Sequence, residues 1–246
     1  MNARLFSMPG SHAATTGRLL FDFKGIDYKR TDLLPVVSWM VLKAFRFPDV
    51  TVPAATIDGE RVQGTRAIAR ALERRKPEPP LFPDDAERRR AVEEAERFGD
   101  EELQQRIREI FLWSACKDRS GLVGYLEGAR IGMPHRLAAR IAGPFIRLDA
   151  RFRGATDENV RRAIVALPRM LQRIDDWIAE GILGGEPPNV ADLQIAPSLR
   201  LAMSLDDLRR AIEARPAGLL ATRIVKHFPG RTPPPQWLEP ITAPAG

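Results

Sequence analysis

A small α/β domain followed by an all-helical bundle domain is the fold class that this sequence predicts, and three observations predict it. The first 75 residues alternate strand-like and helix-like patterns in the order βαβ, an irregular helix, then ββα. The segment Lys76-Pro77-Glu78-Pro79-Pro80-Leu81-Phe82-Pro83 then holds four prolines in eight residues, which forbids a helix and favours an extended connector. Beyond it the apolar spacing is helical almost throughout. A chain of 246 residues is long for one compact domain and comfortable for two. The expected division is an α/β domain over 1–76, a proline-rich linker over 77–84 and an all-helical domain over 85–246.

Arg4-Leu5-Phe6-Ser7 reads as the first strand, ended by the turn signal Pro9-Gly10. Ser11 opens a helix over His12 to Lys24, in which Leu19, Leu20 and Phe23 recur at helical spacing. Gly25 closes it where a left-handed cap is needed. Asp27 to Thr31 is the second strand, and Ser38 to Phe47 is apolar enough for a buried or pocket-lining helix. Val52 to Ile57 is the third strand, Asp58-Gly59 a strong hairpin signal, and Arg61-Val62-Gln63 the fourth strand. Thr65 caps a helix over Arg66 to Arg74.

In the second half Val92, Ala95, Phe98, Leu103, Ile107, Ile110 and Phe111 share one side of a long helix. Thr156-Asp157-Glu158 starts another, with the seam Val160, Ile164, Leu167, Leu171, Ile174, Ile178, a kink expected at Pro168 and a stop at Gly181. Asn189-Val190-Ala191-Asp192 opens a third through Leu193, Ile195 and Leu199. These seams read as bundle core. The tail from Thr232 to Gly246 is expected to pack over the surface or fray.

Composition excludes several function classes. Apolar and charged fractions of 44% and 28% are those of an ordinary soluble globular protein. No apolar run approaches the roughly 18–20 residues of a membrane helix, and the N-terminus lacks a signal-peptide core. The single cysteine, Cys116, excludes a disulfide framework, a Cys-x-x-Cys motif and a cysteine-built zinc cluster. It reads as a small buried apolar residue. His12, His135 and His227 lie too far apart for a local ligand pair, so no metal is expected. The net charge of +6 comes from basic residues dispersed among acids, as in Glu87-Arg88-Arg89-Arg90. That pattern is a solvated, salt-bridged surface, not a nucleic-acid-binding face, though its excess charge attracts small anions. The expectation is a cytoplasmic, metal-free protein with neither membrane nor nucleic acid as partner.

An ordered set of residues narrows the reading. Leu5-Phe6-Ser7-Met8-Pro9-Gly10-Ser11, Lys24-Gly25-Ile26-Asp27-Tyr28, Val52-Pro53-Ala54, Asp58-Gly59, Thr65-Arg66-Ala67-Ile68 and Leu81-Phe82-Pro83 resemble the cytosolic glutathione transferase family from residue 3 to about residue 84. Asn189-x-x-Asp192 resembles the family's helix-capping motif, which normally begins with Ser or Thr. The resemblance implies a thioredoxin-like N-terminal domain, glutathione as co-substrate, a homodimer and a role in detoxification.

Ser11 is then the candidate catalytic residue. On physical grounds a serine after Pro-Gly caps a helix. The same helix end carries about half a positive charge and stabilises an anion placed there. A hydroxyl donating to a bound thiol favours the thiolate. In serine-type members the matching position supplies that hydroxyl, with Thr15 or His12 as substitutes here. Phe6 at the end of the first strand argues against tyrosine-type chemistry. The resemblance implies a cis bond at Val52-Pro53, turning the Val52 backbone toward glutathione's cysteinyl backbone. It also implies that Thr65, with the N–H groups of Thr65 and Arg66, receives the γ-glutamyl carboxylate. The family normally has Glu or Gln before that position, whereas this chain has Gly64, a loss of about 1–3 kcal/mol of binding that Gln63 offsets only if the strand bulges.

The second substrate, a hydrophobic electrophile, is expected between the domains, where Trp39, Met40, Phe45 and Trp113 are candidates. Conjugation of the glutathione thiolate to that electrophile is the leading function. A non-catalytic binding protein on the same scaffold and a glutathione-dependent disulfide reductase are the alternatives.

Overall fold

The computed structural model describes residues 1–232. Of the expected tail, everything after Thr232 lies outside the described residues.

Strands β1 (Ala3–Ser7), β2 (Lys29–Asp32), β3 (Ala54–Ile57) and β4 (Glu60–Gln63) form one sheet in the order β2-β1-β3-β4. β1 pairs parallel with β2 in the register Phe6–Thr31, and antiparallel with β3 in the register Leu5–Ala55. The parallel pair needs a crossover, supplied by helix α1 (His12–Phe23). The hairpin between β3 and β4 is made at Asp58 and Gly59, both at positive φ as a tight primed turn requires. Helix α2 (Pro35–Ala44) lies between β2 and β3, and α3 (Thr65–Arg75) follows β4. The βαβ-ββα order is thus as the sequence predicts, and the N-terminal domain is thioredoxin-like.

The second strand begins at Lys29 rather than Asp27, and three further boundaries differ from the expectation, each for a local reason. The apolar helix begins at Pro35 and ends at Ala44, because proline at the first helical position pre-sets its φ and Arg46 at φ 61 breaks the run. β3 begins at Ala54, since Pro53 has no N–H for the ladder. Helix α3 begins at Thr65 itself, with Gly64 as its cap.

The second half is helical, as expected, and its long first helix is interrupted. Helix α4 (Ala86–Phe98) passes through a π-helical stretch at 99–103 into α5 (Gln104–Lys117). Helix α6 (His135–Phe152) follows, then α7 (Asp157–Ala179), α8 (Val190–Met203), α9 (Asp206–Ile212) and α10 (Pro216–Ile224). Pro168 lies on the exposed face of α7, which continues through it as one element. Among the described residues no helix is long and apolar enough to cross a membrane.

One apolar core crosses both halves. It joins Leu20, Phe21, Ile68 and Leu72 to Leu81, Phe82, Leu103, Ile107 and Ile195. The connector is pinned by Lys24, a fully buried lysine whose Nζ donates to the carbonyls of Pro77 at 2.9 Å and Pro79 at 2.6 Å and pairs with Glu73. Burial of an ammonium is tolerable because every proton has an acceptor. Glu73 also accepts from the Leu81 N–H, and the Leu81 carbonyl accepts from Val190 at the start of α8. The proline-rich segment therefore holds α1, α3 and α8 in one arrangement.

Candidate active site

The start of α1 is built by a turn and a cap. Gly10 has φ +71, and an added Cβ there would lie 2.8 Å from Cβ of Tyr125. Only glycine meets both demands. Tyr125 is itself fixed, its hydroxyl 2.7 Å from Ser204 Oγ and 3.0 Å from Thr232 Oγ1. Ser11 follows in extended conformation and accepts the Ala14 N–H on its Oγ at 3.3 Å. A serine hydroxyl that accepts this bond keeps its own proton to donate.

The two substitutes for Ser11 are committed elsewhere. Thr15 Oγ1 donates to the Ser11 carbonyl at 3.0 Å and accepts from Arg18 at 2.9 Å. His12 Nδ1 lies 3.0 Å from Ser198 Oγ on α8, which pins the helix start to the helical half. Burial, then the charges of Arg108 and Arg153, hold the His12 pKa well below 6.5, so the imidazole is neutral. Its Nε2 is buried without a partner.

A cavity of about 390 Å³ opens beside Ser11. Ser11, His12 and Val52 line it from one half, with Leu34 and Trp39. Arg108, Phe111 and Leu112 of α5 and Phe145, Ile146 and Asp149 of α6 line it from the other. The cavity lies where the sequence predicts it, between the halves, and Trp39 lines it. The structure sets the remaining candidates apart. Met40 is 47% exposed outside the cavity lining. Phe45 packs edge-on against Phe6, with ring centroids 4.7 Å apart. Trp113 is buried and donates its indole N–H to Asp157 at 2.7 Å. None of these three lines the cavity that Trp39 and Arg108 share.

The α6 wall escaped the sequence reading, although Ala138, Ala142, Phe145 and Ile146 recur at helical spacing with Pro134 before the first turn. Pro144 inside that stretch masked it. Cys116 sits half-buried near the end of α5 and outside the cavity lining, its thiol pushed up by burial.

From Val52 a continuous strip runs to the start of α3. The Val52-Pro53 peptide is cis. The Pro53 carbonyl accepts the Gly64 N–H at 2.9 Å, so Gly64 and Thr65 lie directly beside that bond. Gly64 has φ 88 and ψ 150, a conformation open to glycine almost alone. Thr65 does not cap the helix. Its hydroxyl donates to Asp100 at 3.3 Å, while Arg66 pairs with Glu101 at 2.9 Å. Burial pushes the Asp100 carboxyl upward against the pull of Arg66. Gln63 stays in register opposite Ala54 and spends its amide on Asp49 and Thr51. It is therefore not turned toward the place that the Gly64 side chain would occupy. Among the described residues no group of three or more His, Cys, Asp or Glu is arranged to hold a metal ion.

Residues 5–80 match the family model described as glutathione S-transferase, N-terminal domain. No curated protein matches the chain. A glutathione S-transferase structure from Rhodospirillum rubrum is similar at 18% identity and TM-score 0.60, over 97% of this chain and 99% of that one. A glutathione S-transferase from the Antarctic clam Laternula elliptica is 17% identical at TM-score 0.55, over 98% of each chain. FzlA from C. crescentus is 15% identical at TM-score 0.58, over 98% of this chain and 99% of that one. At such identities the shared property is the fold.

Proposed function

We propose that this chain, a member of the glutathione transferase family by its N-terminal match and its whole fold, binds glutathione along the strip from Val52 to Arg66 and conjugates its thiolate to an apolar electrophile. The observation that carries the reading is Ser11: a hydroxyl with an unspent proton, at a helix start, on the wall of an interdomain cavity and beside Val52. A thiol placed there loses its proton to solvent more readily, because the helix end and the Ser11 O–H both favour the sulfur anion. The sulfur lone pair then forms the C–S bond as a leaving group such as halide departs with its bonding pair. The strip suits the rest of the tripeptide. The extended backbone at Val52 offers strand-like pairing, and the N–H groups at the start of α3 suit the γ-glutamyl carboxylate. Asp100 and Glu101, held by Thr65 and Arg66, suit the ammonium of that same γ-glutamyl group.

In this reading 1–76 binds glutathione, 77–84 is the linker, 85–246 covers the electrophile, and the protein is a homodimer, which light scattering on the purified protein checks. Isothermal titration with glutathione, followed by conjugation of chlorodinitrobenzene, tests the function. Heat at sub-millimolar ligand and turnover above the uncatalysed rate are expected. A second reading, a non-catalytic binding protein on this scaffold, draws on Gly64 and the committed Gln63, which leave the γ-glutamyl group one side chain short. No heat at millimolar glutathione favours it.

A further inference from the structure

The cavity that Ser11 lines is not uniformly apolar. Arg108 enters its wall from α5, and every acid near it is held by another group. Asp149 accepts from Arg153 at 2.9 Å, Glu109 from Arg106 at 3.2 Å, and Asp100 from the Thr65 hydroxyl at 3.3 Å. Among the described residues no acceptor is placed on the Arg108 guanidinium itself. Burial first, then the charge of Arg153, pushes its pKa down to about 10 against the opposing pull of Asp149, Asp100 and Glu109. The neutral His12 lines the same cavity. Its Nδ1 shares a hydrogen bond with Ser198 Oγ at 3.0 Å, and its Nε2 is buried without a partner.

Phe111, Leu112, Phe145, Ile146 and Trp39 give the same wall a broad apolar part. A volume of about 390 Å³ suits a ring-sized body. The charge balance selects the head group. Arg153 is neutralised by Asp149, so one guanidinium is left, which matches a planar monoanion better than a dianionic phosphate. Glutathione's own place, on the proposed reading, meets this cavity at Ser11 and Val52 and then runs away from it along Pro53, Gly64, Thr65 and Arg66, none of which lines it.

We infer that the electrophile of this site is an apolar compound bearing one carboxylate, held by Arg108 with its body against Phe111, Phe145 and Ile146. The inference rests on the transferase reading for the reaction, but the cavity's choice of an apolar carboxylate does not depend on it.

Initial rates with chlorodinitrobenzene and with its ring-carboxylate counterpart, chlorodinitrobenzoate, test it in the wild type and in Arg108→Gln and Arg108→Lys. Arg108→Gln raises KM for the carboxylate about tenfold or more, while KM for the neutral compound and for glutathione changes less than about twofold. Arg108→Lys retains most of the preference. Equal losses on both electrophiles overturn the inference, and so does a rise confined to glutathione, which makes the tripeptide's own carboxylate the anion. Isothermal titration of dinitrobenzoate, which lacks the leaving group, separates this from failure of the transferase reading. Binding of dinitrobenzoate that Arg108→Gln abolishes, in a protein that takes no glutathione, keeps the inference and removes the transferase. No dinitrobenzoate binding by wild type overturns the inference whatever the transferase result. Thermal melting of both variants shows that they are folded.

Discussion

Two helix starts in this molecule use the same device and end in different states. At α8, Asn189 accepts from the N–H groups of Ala191 at 2.9 Å and Asp192 at 3.2 Å. Asp192, fully buried, in turn accepts from the N–H groups of Asn189 at 2.9 Å and Gly184 at 2.8 Å. Every polar atom of that capping box is spent on the protein. At α1, Ser11 accepts one bond, at 3.3 Å, and faces a cavity. A cap that saturates itself is architecture. A cap with a donor to spare beside open volume is available for chemistry.

The comparison breaks first at Asp192. Asp192→Ala leaves the part-buried N–H groups of Gly184 and Asn189 without their acceptor, and about 2 kcal/mol of stability should go with them. Urea denaturation measures the loss, and the conjugation rate of the molecules still folded should hold. A stability change under about 1 kcal/mol would show that the box is not what holds α8. Gly64→Gln comes next. The new Cβ meets no atom within 4 Å, so a loss of about 2 kcal/mol would come from backbone strain alone. The same variant should tighten glutathione binding about tenfold by restoring a side chain to the strip, as read by titration.

Ser11→Ala reverses the balance seen at Asp192. It should lower the conjugation rate at least about tenfold and raise the pH midpoint of activity, with about 1 kcal/mol lost from the cap. An unchanged pH profile would assign the hydroxyl to capping only.

The smallest effect belongs to His12. Its native pKa lies below the unfolded value of 6.5, so the unfolded chain takes up a proton as pH falls through 6.5 while the folded chain does not. Stability is therefore full above pH 6.5 and declines toward acid. His12→Asn should flatten that decline in denaturation curves taken at neutral and mildly acid pH, and an equally steep decline in the variant would place its cause elsewhere.

How much of this was legible depends on the range of the interaction involved. Pro9-Gly10-Ser11, Asp58-Gly59 and Asn189-x-x-Asp192 state their geometry within a few residues, because caps and primed turns are set by backbone chemistry over one turn. The apolar run from Ser38 predicts a helix start three residues after the one at Pro35, because the run outweighs the proline signal. Thr65 reads as a cap, yet its hydroxyl goes to Asp100, thirty-five residues away, and Gly64 takes the capping position. Trp113 and Met40 were credible pocket residues by composition. Which way each one faces on its helix depends on the packing of α5 against α7 and of α2 against α6.

The sequence by itself determined the alternation of strand and helix, the proline-rich break between the halves and the serine at the first helix start. All of these follow from φ preferences, missing N–H groups and local hydrogen bonds. Only the tertiary structure decided that Ser11 shares a cavity with Arg108 and Phe145, and that Asp149 pairs with Arg153 rather than with Arg108. Those outcomes depend on which helix faces are buried against one another, and burial is a property of the assembled fold rather than of any one segment.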